Sequence, residues 1–435
     1  MRRRPWMTAL VTGLALVCAP LAAPVAAVGY PLTQVVSDNP VNTTPHVTNG
    51  SVQAIATIGS RVYVGGTFTG VTSSNQATSY TRRYLFAFDR QTGAVLDFAP
   101  SLDGVVESIA PAPDGSSLII GGRFKTVNGT AQRSVAMLRS DGTRVSTFAA
   151  KTTGVVNKVI VRGNTLVAGG RFGKANGAPR QNLAFFNASS GSLDSADVPV
   201  TVGRTKSNGT VTKPSIVEMD ADAGGSRLVI LGNFRQVAGQ LRQQVAMLDL
   251  DTRSLTPWST SRFRNGPSGG PDAFPCYQKF DTQMRDVEFS PTGSFFVVVT
   301  TGGSPDRNAS SLCDSATRWE TSGGPGSTET WLQCTGGDTL YSVAVTTSAV
   351  YLGGHQRWLD NCGGRDSATP GAFSAEGIGA VDPATGRAIR SWNPGRTRGV
   401  GAEELVAQAE GLYVGSDTTR LGGEYHARLG RFPTS

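Results

Sequence analysis

The chain has 435 residues, a formal charge of +8 and 39% hydrophobic residues. Its 40 lysines and arginines are scattered, with none of the basic stripe and interleaved aromatics of a nucleic-acid binder, so no nucleic-acid partner is expected. The one apolar run of note, Thr8 to Ala19, is too short to cross a bilayer, and no membrane span is predicted.

That run follows Arg2, Arg3 and Arg4 and leads to Val25-Ala26-Ala27, the order of a secretory signal peptide over residues 1–27. A lipid anchor on Cys18 would want a small residue before it, and Val17 stands there. Cleavage lowers the charge from +8 to +5, because three arginines and no acids leave. The expected location is therefore secreted and extracellular, with cell-wall association as one form of it. Residues 28–435 then read as one domain.

A repeated phrase organises that domain. Val62-Tyr63-Val64-Gly65-Gly66-Thr67-Phe68 returns at Leu118 to Phe124, Leu166 to Phe172 and Leu228 to Phe234. Degraded copies run from Phe296 to Gly303, Val350 to His355 and Leu412 to Asp417. A spacing of roughly 50 to 70 residues signals a repeat architecture. Within each unit a short apolar strand such as Val52 to Ala56 precedes a Gly-containing turn, followed by the Gly-Gly-x-Phe strand. A variable loop leads to a third strand (Tyr84 to Asp89, Ser134 to Leu138), and a fourth ends on Phe98, Phe148, Trp258, Trp331 or Trp392. Short runs split by turn residues predict antiparallel strands. Four strands per unit, repeated radially, predict an all-β fold, a seven-bladed β-propeller. The paired glycines suit close backbone approach near the axis, and the Phe suits packing between blades. A phosphate-binding reading of the glycines would need a helix after them.

The seventh unit lacks a fourth strand. Thr44 to Gly50 matches Phe98 to Gly104 in register, so residues 32–47 are expected to supply it. The last blade would then be closed by the N-terminal strand, which removes an open sheet edge.

Loops that join second to third strands, or one blade to the next, should share one face. They are the long ones: Thr69 to Arg83, Val202 to Pro214, Ser259 to Gln283, Thr301 to Ser311 and His355 to Ala375. Long loops on a rigid scaffold are where binding residues collect. Cys276, Cys313, Cys334 and Cys362 all fall in such segments. An exported chain with an even cysteine count predicts disulfides, here Cys276–Cys313 and Cys334–Cys362 on neighbouring crossings. His355, Arg357, Trp358, Arg318, Glu320, Asp338, Arg396, Arg398 and Asp417 could converge on one mouth as a ligand site. Trp faces suit sugars and Arg forks suit carboxylates, while the same residues also suit ion pairs that pack loops. Three histidines, His46, His355 and His426, show no metal-ligand spacing, and no catalytic residue, metal or cofactor is implied. Asp220-Ala221-Asp222 reads as a turn rather than a calcium loop.

Val127-Asn128-Gly129 and Ala175-Asn176-Gly177 after the Gly-Gly-x-Phe strand resemble the delta-sixty-type repeat of bacterial β-propellers. With Asp38-Asn39-Pro40, Met284 to Val287, Arg318 to Thr321, Gly353 to Trp358 and Trp392 to Arg396, the mature chain resembles an actinobacterial group of secreted β-propellers. That resemblance implies a fold and no activity. The expectation is a monomeric exported propeller that binds a cell-wall or extracellular glycan, or a protein partner. The competing expectation is a secreted glycoside hydrolase or lyase with carboxylates at the channel mouth.

Overall fold

The computed structural model describes residues 29–206, 209–263, 281–302, 313–364 and 366–435. Among them there is no α-helix, and the strands form seven principal antiparallel sheets. The first contains Val52–Ile58, Arg61–Gly66 and Leu85–Asp89, and the last Ala402–Gln408, Gly411–Ser416 and Leu429–Pro433. Each sheet's first strand packs on the first strand of the next, and Ala402–Gln408 packs on Val52–Ile58.

All seven first strands carry the same irregularity. Pairing with the second strand shifts between Val52 and Ala54, and between Val106 and Ser108. It shifts likewise after Val156, Ile216, Met284, Leu340 and Ala402. A bulge of this kind bends the strand and re-aims the side chains that follow it. The doubled glycine answers it: a Cβ on Gly66 would collide with the Ser51 carbonyl oxygen opposite the bulge. The glycine before it serves the next sheet, since a Cβ on Gly65 would come within 2.9 Å of Val106.

The core is divided into wedges between sheets. Phe124 (0% exposed) joins Leu85 and Phe98 of the first sheet to Leu118 and Ile120 of the second. Phe234 does the same between the third and fourth sheets, and burying such a ring is worth about 2–3 kcal/mol. Val52 and Val62 pack with Val406 and Tyr413, joining the seventh sheet to the first.

The fourth strands are weaker than expected. Only Ser254–Leu255 and Trp331–Cys334 are regular; four other sheets keep a single bridge, such as Phe88 to Val95. The loop before the third strand makes its own small hairpin, such as Thr126–Val127 with Thr130–Ala131. That hairpin folds back along the blade, and Asn128 at its tip donates from Nδ2 to Gly142 O (3.0 Å). Asn176 donates likewise to Gly191 O (2.9 Å). Both asparagines adopt positive φ, which asparagine tolerates better than most residues.

Residues 37–47 lie along the last sheet. Ser37 N donates to Pro433 O (2.8 Å), Val41 N to Arg431 O (2.9 Å) and Val47 N to Ala427 O (2.9 Å). Val36 and Val47 are buried, and Val36 N donates to the Tyr351 hydroxyl (2.9 Å).

Candidate functional site

The long loop of the sixth sheet and the connections on either side of that sheet gather around Asp338, whose side chain is 4% exposed. Arg357 grips it with a fork, Nε to Oδ2 at 2.8 Å and Nη2 to Oδ1 at 3.0 Å, and Arg398 Nη2 reaches Oδ1 at 3.1 Å. Arg357 also reaches Asp366 (2.7 Å) and lies over the Trp358 ring at 4.4 Å. Hydrogen bonding to Asp338 is the main reason its guanidinium holds its proton more firmly than usual. Arg398 donates to His355 O (2.8 Å), and His355 Nδ1 lies against Gly399 O.

Arg396 goes deeper. In the first four sheets the residue after Gly-Gly-x is Phe; here Gln356 and Thr418 stand there. The fully buried Arg396 side chain donates to Gly354 O (2.8 Å), Gly377 O (3.3 Å), Thr418 Oγ1 (2.7 Å) and Arg398 O. Asp417 lies 3.8 Å away and is itself held by Val400 N and Gly401 N. Burial pulls the Arg396 guanidinium down to about 10, with Asp417 opposing.

Six of the predicted residues thus come together, with Trp358 stacked beside them, and the arginines are committed to protein acceptors. Arg318 and Glu320 do not join them. They sit on Ser315–Glu320, a third strand that runs away from this loop cluster, and they pair with each other (2.8 Å). Arg318 also donates to Pro383 O (2.8 Å) and covers the Phe295 ring. Burial pushes the Glu320 carboxyl up, but hydrogen bonds from Arg318 and Thr330 outweigh it and leave it low. Cys334 and Cys362 form a disulfide with Cα atoms 4.8 Å apart, tying an inter-sheet segment to the sixth sheet's loop. Cys313 is disulfide-bonded, while Cys276 lies outside the described residues.

Asp338→Asn should lower stability by about 1–3 kcal/mol, because Arg357 and Arg398 lose a shared anion but can turn partly to water. Urea unfolding of the two proteins measures it. An unchanged midpoint would show that the fork carries no structural load.

The central channel holds charges that sequence reasoning missed. Immediately after the bulges stand Lys158, Glu218, Asp286 and Glu404, with Asp220 and Glu288 two positions further along. Lys158 Nζ is 2.8 Å from Glu218, and its side chain keeps 25% exposure to the channel. Burial pushes Glu404 up to about 8 against the pull of Lys158, and Asp286 up to about 7 with help from Glu218. Asp220 is pushed to about 6, and Glu288 well above its ordinary range. Burial opposes charge on Lys158, but Glu218, Glu404 and Asp286 outweigh it and hold it protonated.

These acids bridge neighbouring sheets. Asp220 accepts from Phe289 N (2.7 Å), Asp286 from Val343 N (2.8 Å) and Glu288 from Val345 N. Neutral residues do the same elsewhere: Ser108 accepts from Val159 N (3.1 Å), Asn157 donates to Ile216 O (2.7 Å) and Ser342 to Ala402 O (2.8 Å). The free bore measures ≈ 60 Å³, room for about four waters and not for a sugar ring. Its carboxylates Asp220, Asp286 and Glu288 join sheets. The available signal was a charged residue inside an otherwise apolar first strand. Asp220-Ala221-Asp222 divides accordingly: Asp222 accepts from Arg227 N to close its turn, while Asp220 faces the channel. Among the described residues no His, Cys, Asp or Glu group is arranged to hold a metal ion.

A family model, the Rax2 C-terminal beta propeller domain, matches residues 85–224. The β-propeller domain of Cps50 (Swd1) from Myceliophteria thermophila superposes with a TM-score of 0.52 at 10% identity, covering 90% of this chain and 99% of that one. No curated protein matches the sequence. The fold is a β-propeller, with no helix among the described residues long and apolar enough to cross a membrane.

Proposed function

We propose that this chain is an exported, monomeric seven-bladed β-propeller that serves as a binding scaffold, closed by its N-terminal strand and recognising an extracellular glycan or a protein partner on its loop-rich face. The carrying observation is an asymmetry of connections. Turns such as Gly59-Ser60 and Asp114-Gly115 are tight on one face. On the other, the second-to-third and inter-blade loops carry extra hairpins, the Asp338 network and the Cys334–Cys362 bridge. Rigid blades beneath braced, variable loops are a common setting for recognition. Seven sheets, the contact of the last first-strand with Val52–Ile58, and the bonds from residues 37–47 to the last sheet support the ring. The disulfide suits an oxidising compartment.

The test is a glycan array run beside a panel of chromogenic glycosides. The expected result is saturable binding without turnover, or silence on sugars with binding confined to a protein. Turnover abolished by Glu320→Gln or Asp417→Asn would overturn the scaffold reading in favour of a hydrolase.

A further inference from the structure

A second feature of the loop-rich face lies away from the Asp338 network, between the third and fourth blades. There a cleft of ≈ 640 Å³ is lined by Arg171, Phe172, Gln181, Val202, Lys213 and Pro214, among others. Phe172 is buried and forms part of its floor, so no aromatic face is offered to a sugar ring.

Val202 sets this cleft apart. It adopts φ of 54° and its side chain is 43% exposed. A β-branched residue in the left-handed region costs about 1–2 kcal/mol, which glycine would avoid. The chain therefore accepts two penalties, backbone strain and a solvated aliphatic side chain, at the lip of an open groove. Val211 (61% exposed) is bridged to Thr205 on the same connection, outside the lining of the cleft. A scattered exposed aliphatic is ordinary; what sets Val202 apart is its place at the lip of a cleft in a backbone conformation that disfavours it.

The charge of the cleft has one sign. Arg171 and Lys213 are exposed, neither makes an ion pair among the described residues, and no carboxylate lines the space. Around the Asp338 network the arginines are taken up by Asp338, Asp366 and backbone carbonyls, whereas these two cations make no ion pair among the described residues. Unpaired charges on a rim favour a partner of opposite sign and speed its approach.

We infer that the cleft between the third and fourth blades binds an extended, acidic segment of a protein partner, with aliphatic side chains set against Val202 and Pro214 and carboxylates set against Arg171 and Lys213. This rests on the scaffold reading and names the partner's chemistry.

The test pans a random peptide library, displayed on phage, against the full mature protein. Enriched peptides should pair Asp or Glu with Leu, Ile or Val. Fluorescence anisotropy should show about tenfold weaker binding of such a peptide to the Arg171→Glu/Lys213→Glu variant. Val202→Gly should weaken binding while leaving the melting temperature unchanged or higher, because glycine fits the backbone better; that separates docking from folding. Enrichment without acids, equal affinity for the charge-reversed protein, or no enrichment at all would overturn the proposal. So would oligogalacturonate binding lost in the same variants, which would make the cleft an acidic-glycan site. Ligand binding that survives in these variants would sink the cleft and leave the scaffold reading standing.

Discussion

A protein that begins at Gly50 should aggregate, or melt well below one that keeps residues 29–49. The deletion removes Leu32, Val36 and Val47, all buried, whose burial is worth about 5 kcal/mol together. That approaches the entire stability of many domains. It also strips Ser37, Val41 and Val47 from the backbone of the last sheet and leaves Leu429–Pro433 as an open edge. Trp392, which donates to Ser37 O (3.3 Å), and Tyr351 lose their partners as well. Thermal unfolding with light scattering reads both effects. A truncated protein that melts like the longer one would show that residues 37–47 do not complete the last sheet.

The channel carboxylates should make the protein less stable in alkali. Asp220, Asp286 and Glu404 titrate near 6, 7 and 8 when folded, against about 4 in an unfolded chain. Their folded pKa values are raised, so between pH 4 and 8 the folded state holds more protons than the unfolded one. Stability from this source is complete below about pH 4 and is lost as pH rises through 6, 7 and 8. Water in the bore screens the group, so the total loss should be a few kcal/mol, on the order of 2–4. Turn aspartates act with the opposite sign. Hydrogen bonds from Thr92 hold Asp89 low, and Thr143 does the same for Asp141, so their contribution disappears only in acid. The stability maximum should therefore lie between about pH 4 and 6.

Glu404→Gln tests the alkaline limb, because it fixes the side chain in a neutral state of the same shape. Urea midpoints at pH 5 and pH 9 should converge in this variant, with the substituted protein the more stable at pH 9. Lys158→Met should do the reverse, steepening the decline by leaving Glu218, Asp286 and Glu404 without their cation. A parent protein whose stability rises from pH 5 to 9 would contradict the channel assignment.

The features legible in the sequence are those that every unit must solve alike. Each first strand bulges, and a doubled glycine or a close equivalent sits opposite, so the phrase recurs and betrays the blade. Phe68, Phe124, Phe172 and Phe234 recur because each fills the same wedge. The channel was hidden because its neighbouring-sheet bridges use a different side chain each time: serine at 108 and 342, asparagine at 157, carboxylates at 220, 286 and 288. No phrase repeats, and a lone acid in a strand looks like any surface charge. Arg318 and Glu320 were also misplaced. Both were expected at the mouth, while the strand Ser315–Glu320 carries them to its far end. Val202 reads as the start of a long loop, and its positive φ stays hidden because a sequence does not reveal the sign of φ.

Ser435 Oγ donates to Val35 O across a separation of 400 residues, beside the bonds that join residues 37–47 to the last strand. The first part of the domain to be synthesised must therefore wait for nearly the last before it finds its partner. Contacts of such long range form slowly, and until they do an incomplete array presents sticky edges at both ends. Completion is thus an event that follows synthesis of the last strand, and the rate at which the two ends meet sets how long the new chain needs protection from its own kind.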